Sequence, residues 1–265
     1  MSDAIKTNGK EAISEAITKL TELLKSGRSE ALTTYLKAMG TFRNYSWGNQ
    51  ILIWSQMPDA SKVAGFNAWK DHSRFVKKGS KAIRILAPMV GKKKDEATSE
   101  DKSFVFGFRS VCVFDVSQTE GEELPEFATA LGDPADAYQK LLTLCVDNSI
   151  TVAFDADDIL PAKGMSYGGS IKLASCDNGA ELFSTLTHEV AHELMHKGDK
   201  RTGTSKDSRE LEAEAVAFIV GSSIGLDMNT SSADYIKLYN GDADSFAASL
   251  EVISRTASTI LEAVA

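Results

Sequence analysis

The sequence predicts an α+β fold in two domains: a small α/β domain over residues 1–125 and a mostly helical domain with a short sheet over residues 134–265. Three observations predict it. Apolar residues recur at helical spacing near the N-terminus and through most of the second half. Two runs, Lys81–Pro88 and Phe104–Val116, are rich in the β-branched and aromatic residues that favour strands. Between the halves, Gln118–Pro134 combines glycines, prolines and acids, a composition typical of a domain boundary.

The first domain is predicted to begin with helices. Residues 10–39 carry apolar side chains at helical spacing on both sides of a polar turn at Gly27. Residues 45–57 predict a further helix that ends before Pro58, because the residue preceding a proline is disfavoured in the helical region. The charged stretch Gly91–Lys102 lies between the two predicted strands, so we expect an exposed hairpin loop there.

The second domain is predicted to combine helices with two short strands. It begins with a helix over Ala135–Cys145 and continues with strands at Thr151–Phe154 and near Ser170–Leu173. Four helical patterns follow, over residues 179–196, 207–223, 231–239 and 244–264.

Composition argues against several classes of protein. No stretch approaches the roughly 20 apolar residues that a membrane-spanning helix needs, and the polar N-terminus lacks the apolar core of a signal peptide. The three cysteines, Cys112, Cys145 and Cys176, lie far apart, which argues against a disulfide scaffold and against a thiolate zinc site. We therefore expect a soluble cytoplasmic protein without a membrane partner.

Charge is distributed unevenly along the chain. The net charge of −8 is the sum of +3 over residues 1–130 and −11 over residues 131–265. Residues 41–94 hold 11 basic side chains and only two acidic ones. An acidic protein with one concentrated basic segment indicates that this segment meets a polyanion.

A metal-binding motif lies in the second domain. Residues 188–192 read His-Glu-Val-Ala-His inside an otherwise apolar helical run. Side chains at i and i+4 project from the same side of a helix, so His188 and His192 can bind one ion. Glu189 is then the predicted general base of a zinc peptidase, because zinc lowers the pKa of bound water from 15.7 toward ~7 and a nearby carboxylate can take up the proton. Three of the four histidines fall within nine residues, which favours a metal site over a chance match on a helix.

A catalytic zinc ion needs a third protein ligand. Glu210 and Glu214 are four residues apart on the next helical pattern, so one carboxylate can bind the metal while the other accepts the ring N–H of a ligand histidine. The residues leave both orders open, with Glu212 as a weaker candidate. His196 lacks the spacing of the third histidine in the HExxHxxGxxH pattern, and we expect it to lie outside the ligand set. The predicted cofactor is one Zn²⁺ per chain, with another divalent metal as the alternative.

Aromatic and basic residues interleave in the first domain, a combination typical of single-stranded nucleic-acid binding. The competing interpretation is that the tryptophans are core residues and the lysines a solvated turn. The candidate DNA-binding residues are Tyr45, Trp47, Asn49, Arg74, Lys77, Lys78, Lys81 and Arg84.

Separated motifs of the first half resemble the N-terminal domain of ArdC-type antirestriction proteins. They are Tyr45–Gln50, Val63–Phe66 with Trp69, Val76–Pro88 and Val113–Gly121. The resemblance covers roughly residues 8–125. It implies a domain that binds single-stranded DNA and a mobile-element setting in which incoming DNA is protected.

The second half resembles the metallopeptidase domain of the same family, which is similar to the ImmA/IrrE metallopeptidases. The matching segments are His188–His192, Glu210–Glu214 and the region around Tyr235 and Ile236. The resemblance implies a zincin-like, gluzincin-type peptidase with Glu210 as the third ligand and Glu214 as the carboxylate behind it. Those chains carry Asn or Asp at the position of Glu214, and this departure keeps the reverse assignment open.

Three functions compete at this point. In the first, the protein binds single-stranded DNA and hydrolyses a peptide bond in a DNA-associated protein, as the intact Glu189 favours. In the second, it shields single-stranded DNA without proteolysis, and its metal site is structural or idle. In the third, the acidic second half imitates DNA and engages a DNA-binding enzyme, although this hypothesis does not predict the HExxH motif.

Overall fold

The structure is a computed structural model that describes residues 2–28, 30–94, 101–123, 134–198, 204–228 and 243–264. It divides into two compact units. Unit 1 comprises Met1–Leu20 and Gly48–Leu124, and unit 2 comprises Thr21–Trp47 and Pro125–Ala265. In the described ranges, the helices are either too short or too polar to cross a bilayer.

The described elements are α-helices and β-strands. The helices are α1 (Ser2–Lys25), α2 (Glu30–Thr41), α3 (Trp47–Gln56), α4 (Phe66–Asp71), α5 (Pro134–Asp147), α6 (Gly179–Met195), α7 (Lys206–Ser223) and α8 (Ala243–Val264). The strands are β1 (Val63–Gly65), β2 (Arg74–Val76), β3 (Ile83–Lys94), β4 (Asp101–Asp115), β5 (Thr119–Gly121), β6 (Thr151–Ala153), β7 (Gly164–Ser166) and β8 (Ser170–Leu173). The predicted α+β class is confirmed.

A long antiparallel hairpin dominates unit 1. β3 pairs with β4 from Ile83↔Val113 to Lys94↔Asp101, and β1 adds a third strand on the other side of β4. The predicted exposed loop Gly91–Lys102 was therefore too long, since Gly91–Lys94 pairs with Asp101–Phe104. Backbone hydrogen bonds form the ladder whatever the side chains are, so strand pairing continues into a polar sequence.

Two buried polar side chains in unit 1, those of Asp115 and Asn49, form hydrogen bonds with backbone groups that are distant in sequence. Asp115 is 1% exposed, and its carboxylate accepts hydrogen bonds from the backbone N–H groups of Ser61, Lys62 and Ser117 at 2.7–3.0 Å. Asn49 on α3 donates to the Leu86 carbonyl and accepts from the Leu86 N–H, both at 2.8 Å. Each side chain thus satisfies backbone groups that strand pairing leaves free, as burial requires.

Unit 2 packs helices around α7, with a small sheet beside α6. The sheet order is β6-β8-β7, with β6 parallel and β7 antiparallel to β8. α6, α2 and α8 all pack on α7. The core lies between these helices and includes the fully buried Phe183, Leu186, Val216 and Phe218.

Residues 21–47 belong to unit 2 in the structure, whereas the sequence placed them in the first domain. The physical reason is the apolar face of α2, where Leu32 and Leu36 are fully buried. α2 also approaches α7 so closely that a β-carbon added at Gly40 would collide with the Ser223 Oγ. Helical periodicity indicates that α2 has an apolar face, but it does not indicate which helix that face packs against.

The helices predicted in the second domain agree with α5, α6, α7 and α8 to within two residues at each end. The predicted strands correspond to β6 and β8. The pattern over residues 231–239, with Tyr235 and Ile236, lies outside the described residues. β7 was not predicted, because three residues, Gly-Met-Ser, are too few to show an alternation.

Candidate metal centre

Helix α6 carries the HExxH residues and has a well-defined start. Asn178 is its N-cap, and the side-chain oxygen accepts hydrogen bonds from the N–H groups of Ala180 and Glu181. Leu186 and Val190 form part of the buried face of the helix. His188 and His192 lie one turn apart on α6, and both face carboxylates of α7.

Three ligand atoms converge between α6 and α7. The Nε2 atoms of His188 and His192 are 3.1 Å apart, and Oε2 of Glu210 lies 3.4 Å from the first and 3.5 Å from the second. Ligands about 2.0–2.1 Å from a tetrahedrally coordinated ion are separated by about 3.4 Å. The three side chains therefore have the spacing and the chemistry of a divalent-metal site.

Glu214 and Glu212 occupy different positions from Glu210. Glu214 faces the outer nitrogen of His188, with Oε2 3.5 Å from Nδ1. Glu212 is buried at 7% exposure, and its Oε2 lies 2.8 Å from Nε2 of His196. In this geometry Glu210 is the carboxylate that lies close to both imidazole Nε2 atoms. Glu214 lies on the far side of the His188 ring, and Glu212 contacts His196.

His196 is the residue whose position the sequence did not anticipate. It is the C-cap of α6, is 2% exposed, and places its Nδ1 2.9 Å from Nδ1 of His192. The i+4 spacing from His192 was a usable signal. A prediction based only on metal-ligand spacing misses this contact, because His196 contacts the ligand His192 and is not itself a ligand.

Glu189 is buried directly beside the site. Burial, opposed by His188 and reinforced by Glu210, raises the pKa of Glu189 to about 7. The backbone N–H of Ser166 on β7 donates to its carboxylate. A buried carboxyl with a pKa near neutrality can accept and return a proton at physiological pH.

The electrostatics of the ligand residues reflect their carboxylate neighbours. Burial disfavours the charged imidazole of His188, but Glu210 and Glu214 outweigh it and raise its pKa to about 9. Hydrogen bonding to His188 and His192 holds the pKa of Glu210 far below its usual range. Burial lowers the pKa of His192. Protons and metal ions compete for such sites. An anionic Glu210 and a neutral His192 favour metal binding, whereas the metal must displace the proton that His188 holds at neutral pH.

The site opens into a cleft of about 730 Å³. Its lining residues include Gly164 on β7, Glu214 on α7, and Asp227 and Met228 after α7. β7 pairs with β8 along one side, and no other described strand pairs with β7. An edge strand beside a candidate catalytic base can bind an extended peptide through main-chain hydrogen bonds.

Glu193 fixes the turn that follows this edge strand. Its Oε1 accepts hydrogen bonds from the Ser166 hydroxyl at 2.8 Å and from the Gly168 N–H at 2.7 Å. Glu193 is 3% exposed and lies one residue after His192 on α6. The helix that carries the ligands therefore also positions β7.

The structure gives two of the candidate DNA-binding residues a structural role. Asn49 is buried, and its side-chain NH2 and carbonyl oxygen are both hydrogen-bonded to the backbone of Leu86. Arg74 donates to the Thr119 hydroxyl and to the carbonyls of Thr119 and Glu122. Neither polar group faces solvent freely, so the prediction that they bind DNA is not supported by their contacts.

The other candidates are more accessible. Lys77 is exposed and donates to the Ser117 carbonyl at 3.0 Å. Lys78, Lys81 and Arg84 are exposed, whereas Tyr45 and Trp47 are half-buried and belong to unit 2. The Tyr45 ring packs edge-on against Phe42, with ring centroids 6.2 Å apart.

The hairpin carries an exposed aromatic pair, formed by residues that the sequence predicts only to lie in a strand. Phe104 and Phe106 are each 49% exposed, with ring centroids 6.2 Å apart. Residues two apart on a strand share a face, and a β-carbon added at Gly91 would meet both rings. The register between β3 and β4 shifts at Met89/Val90. Phe108 pairs with Pro88, three residues before Gly91 on β3, and therefore faces the opposite side of the hairpin.

Comparison with known proteins adds a family match and a fold match. Residues 5–114 match the family described as the N-terminal domain of anti-restriction factor ArdC. The chain is 26% identical over 313 aligned positions to an uncharacterised protein of Bacillus anthracis. That alignment covers 99% of this chain and 52% of the relative, so the chain spans about half the length of the curated relative it matches.

Two solved structures share the fold. The metal-free structure of the antirestriction ArdC protein from the R388 plasmid matches with a TM-score of 0.53 and 20% identity, over 83% of this chain and 82% of that chain. The Mn(II)-bound structure of the same protein matches with a TM-score of 0.52 and 16% identity, over 83% and 89%. At these identities the likeness establishes a shared fold.

Proposed function

We propose that this chain is an ArdC-like antirestriction protein that binds single-stranded DNA and cleaves a DNA-associated protein as a divalent-metal-dependent, zincin-like peptidase. The observation that carries the peptidase proposal is the convergence of two imidazoles and one carboxylate beside a buried general base. His188, His192 and Glu210 form the focus, and Glu189 lies next to it. A purely structural metal site has no need for Glu189.

The residues divide the chemistry between them. A divalent ion bound by His188, His192 and Glu210 would act as a Lewis acid toward a carbonyl oxygen and make water a stronger acid. Glu189 would take the proton of the attacking water and pass it to the leaving amine, for which a pKa of about 7 is suited. Burial of Glu189 keeps bulk water from competing for that proton.

The edge of β7 supports a peptide as the substrate. An extended chain paired with β7 would pass beside Glu189, because Gly164 on that strand lies against the Glu189 side chain. Main-chain pairing accepts many sequences, so the cleft around it would set specificity. We propose a flexible segment of a protein as substrate, since a strand inside a folded sheet has no free edge to offer.

The metal is proposed to be Zn²⁺, with Mn²⁺ as the alternative. Two histidines and one carboxylate suit zinc, as in catalytic zinc sites with an open position. The fold neighbour has been crystallised with Mn(II), which supports a divalent ion without choosing between the two.

Two groups of exposed residues in unit 1 support DNA binding. Lys78, Lys81 and Arg84 can pair with phosphates. The aromatic pair Phe104–Phe106 offers a stacking surface for unpaired bases, and Arg109, paired with Ala87 on β3, is exposed on the same strand. The match of residues 5–114 to the ArdC N-terminal domain supports the antirestriction setting.

Glu189→Gln tests the proposal, because glutamine keeps the size of the side chain and removes the base. We expect metal content and single-stranded DNA affinity to be unchanged, and cleavage of labelled casein or of the chain itself to be lost. Asp207→Asn, an exposed carboxylate on α7, is the matched control. Proteolysis by the Glu189→Gln variant at the native rate would refute the peptidase.

The same variant separates proteolysis from shielding. Protection of a transferred plasmid against a restriction enzyme should fall with Glu189→Gln if cleavage is the antirestriction activity. If protection persists in full while casein cleavage is lost, DNA shielding is the protective function and the peptidase serves another purpose.

A further inference from the structure

Behind the candidate metal site, the ligand His192 is the first of three linked side chains, and the proposed chemistry does not use the other two, His196 and Glu212. Nδ1 of His192 is 2.9 Å from Nδ1 of His196, and Nε2 of His196 is 2.8 Å from Oε2 of Glu212. His196 is 2% and Glu212 7% exposed. The chain runs from the rear of a metal ligand on α6 to a carboxylate on α7.

For Glu212 as a carboxylate and His196 as a neutral imidazole, counting protons gives the direction of both hydrogen bonds. An ionised Glu212 only accepts, so Nε2 of His196 must carry the hydrogen. A neutral imidazole has one N–H, which leaves Nδ1 of His196 as an acceptor, and the hydrogen of the second bond must come from Nδ1 of His192. Nε2 of His192 is then unprotonated, and its lone pair points to the focus shared with His188 and Glu210.

We infer that Glu212 and His196 are positioning residues that hold His192 in the tautomer able to bind a divalent cation. The inference rests on the metal site of the proposed function. Without Glu212, His196 can carry its hydrogen on Nδ1 and donate to His192, which would put the His192 hydrogen on the metal-facing Nε2. Two tautomers then compete, and only one of them binds metal.

The two ligand histidines are therefore supported differently. His188 has a carboxylate, Glu214, 3.5 Å behind its Nδ1, at the exposed side of the site. His192 reaches its carboxylate only through a second imidazole, at the buried side. Carboxylates that support a ligand histidine raise its basicity and fix its ring, and their loss commonly weakens metal binding by about 10–100-fold.

The test measures metal affinity and does not depend on peptidase activity. Zn²⁺ and Mn²⁺ dissociation constants would be determined by competition with a chelator for the native chain, Glu212→Leu, Glu212→Gln and His196→Leu. We expect Glu212→Leu to weaken binding about 10–100-fold. Glu212→Gln should recover part of the loss, because its amide oxygen can still accept from Nε2 of His196. Asp207→Asn on the same helix is the control for a lost negative charge.

A double-mutant cycle separates positioning from a general effect on folding. If Glu212 acts only through His196, then Glu212→Leu in the His196→Leu background should cause no further loss of metal affinity. Melting of the metal-free variants would show how far each one is destabilised. This control matters because His196→Leu leaves a buried, unpaired carboxylate, whereas the double variant does not.

The outcomes distinguish this inference from the proposed function. A folded Glu212→Leu variant with native metal affinity would overturn the positioning role of Glu212 and His196. Losses of metal affinity that add fully in the double-mutant cycle would overturn it as well. A native chain that binds neither ion would overturn both ideas. If the native chain binds metal, depends on Glu212 and His196 for that affinity, and cleaves no protein, only the proposed peptidase activity would be refuted.

Discussion

Gly164 lies against Glu189: a β-carbon added at Gly164 would come within 2.8 Å of the Glu189 Cγ and 2.9 Å of its Oε1. The same β-carbon would lie 2.8 Å from a methyl group of Thr185, so the α6 surface leaves it no room. The absence of a side chain at residue 164 is therefore what allows the edge strand to approach the candidate base.

We predict that Gly164→Ala reduces peptidase activity about tenfold or more while metal content stays at the native level. The added methyl must displace Glu189 or β7, and a displacement of about 1 Å can cost as much as 100-fold in rate. Casein cleavage and metal analysis would measure the two effects. Gly179→Ala is the control, because a β-carbon at Gly179 meets no atom within 4 Å. Equal activity of both variants would contradict a role for this contact.

Metal analysis of Glu210→Ala and Glu214→Ala should settle which carboxylate is the ligand. Glu210 shares a focus with both imidazole Nε2 atoms, and Glu214 faces only the outer nitrogen of His188. We therefore expect Glu214→Ala to weaken binding by about 10–100-fold at most, and Glu210→Ala to weaken it further. The opposite ranking would establish Glu214 as the third ligand, the alternative that the sequence leaves open.

Phe106→Ala should weaken binding of single-stranded DNA by roughly 5- to 150-fold, the loss expected for one stacked base at about 1–3 kcal/mol. Phe108→Ala is a matched control, since Phe108 is similarly exposed at 45% and lies on the other face of the hairpin. Fluorescence anisotropy with a labelled oligonucleotide would measure both. Equal losses would show that the hairpin does not bind DNA through one face.

The charged candidates should behave differently from the aromatic pair. Lys81→Ala or Arg84→Ala removes an exposed cation, so we expect weaker binding and a smaller dependence of affinity on salt. Asn49→Ala should instead destabilise unit 1, because Leu86 loses both partners of its backbone groups. Salt titrations and melting curves would separate the two classes of effect. An Asn49→Ala chain that is fully stable and fails to bind DNA would support the prediction that Asn49 binds DNA.

Asp115→Asn is predicted to destabilise unit 1 by about 1.5–3 kcal/mol, because an amide cannot accept three N–H groups as a carboxylate does. Burial opposes ionisation of Asp115, but the donors Ser117, Ser61 and Lys62 outweigh it and lower its pKa below 3.8. A group with a lowered folded-state pKa stabilises the fold above its unfolded-state value, and this contribution is lost as the pH falls through the folded-state pKa.

The acid sensitivity of unit 1 would therefore appear below about pH 4 in the native chain and be reduced in Asp115→Asn. Trp69 donates its indole N–H to the Phe114 carbonyl, next to Asp115, so tryptophan fluorescence during urea unfolding is a suitable signal. Asp71→Asn, an exposed carboxylate of unit 1, serves as the control. An unchanged acid limb in Asp115→Asn would contradict this account.

The long elements could be predicted from the sequence because their signals are local. Helix α6 shows its apolar period, its cap at Asn178 and its HExxH spacing within 20 consecutive residues. β3 and β4 show runs of β-branched and aromatic residues. The three-residue strand β7 shows no such signal, since its conformation depends on its pairing with β8.

The sequence by itself determined that His188 and His192 share one helix face with Glu189 between them, because helix geometry relates residues four apart whatever surrounds them. Only the tertiary structure decided that Glu210 meets these imidazoles, that Glu212 is directed to His196, and that Gly164 lies against Glu189. It also assigned α2 to unit 2 and the amide of Asn49 to Leu86. These relationships join residues that are distant in sequence, and the packing of one element on another sets their distances.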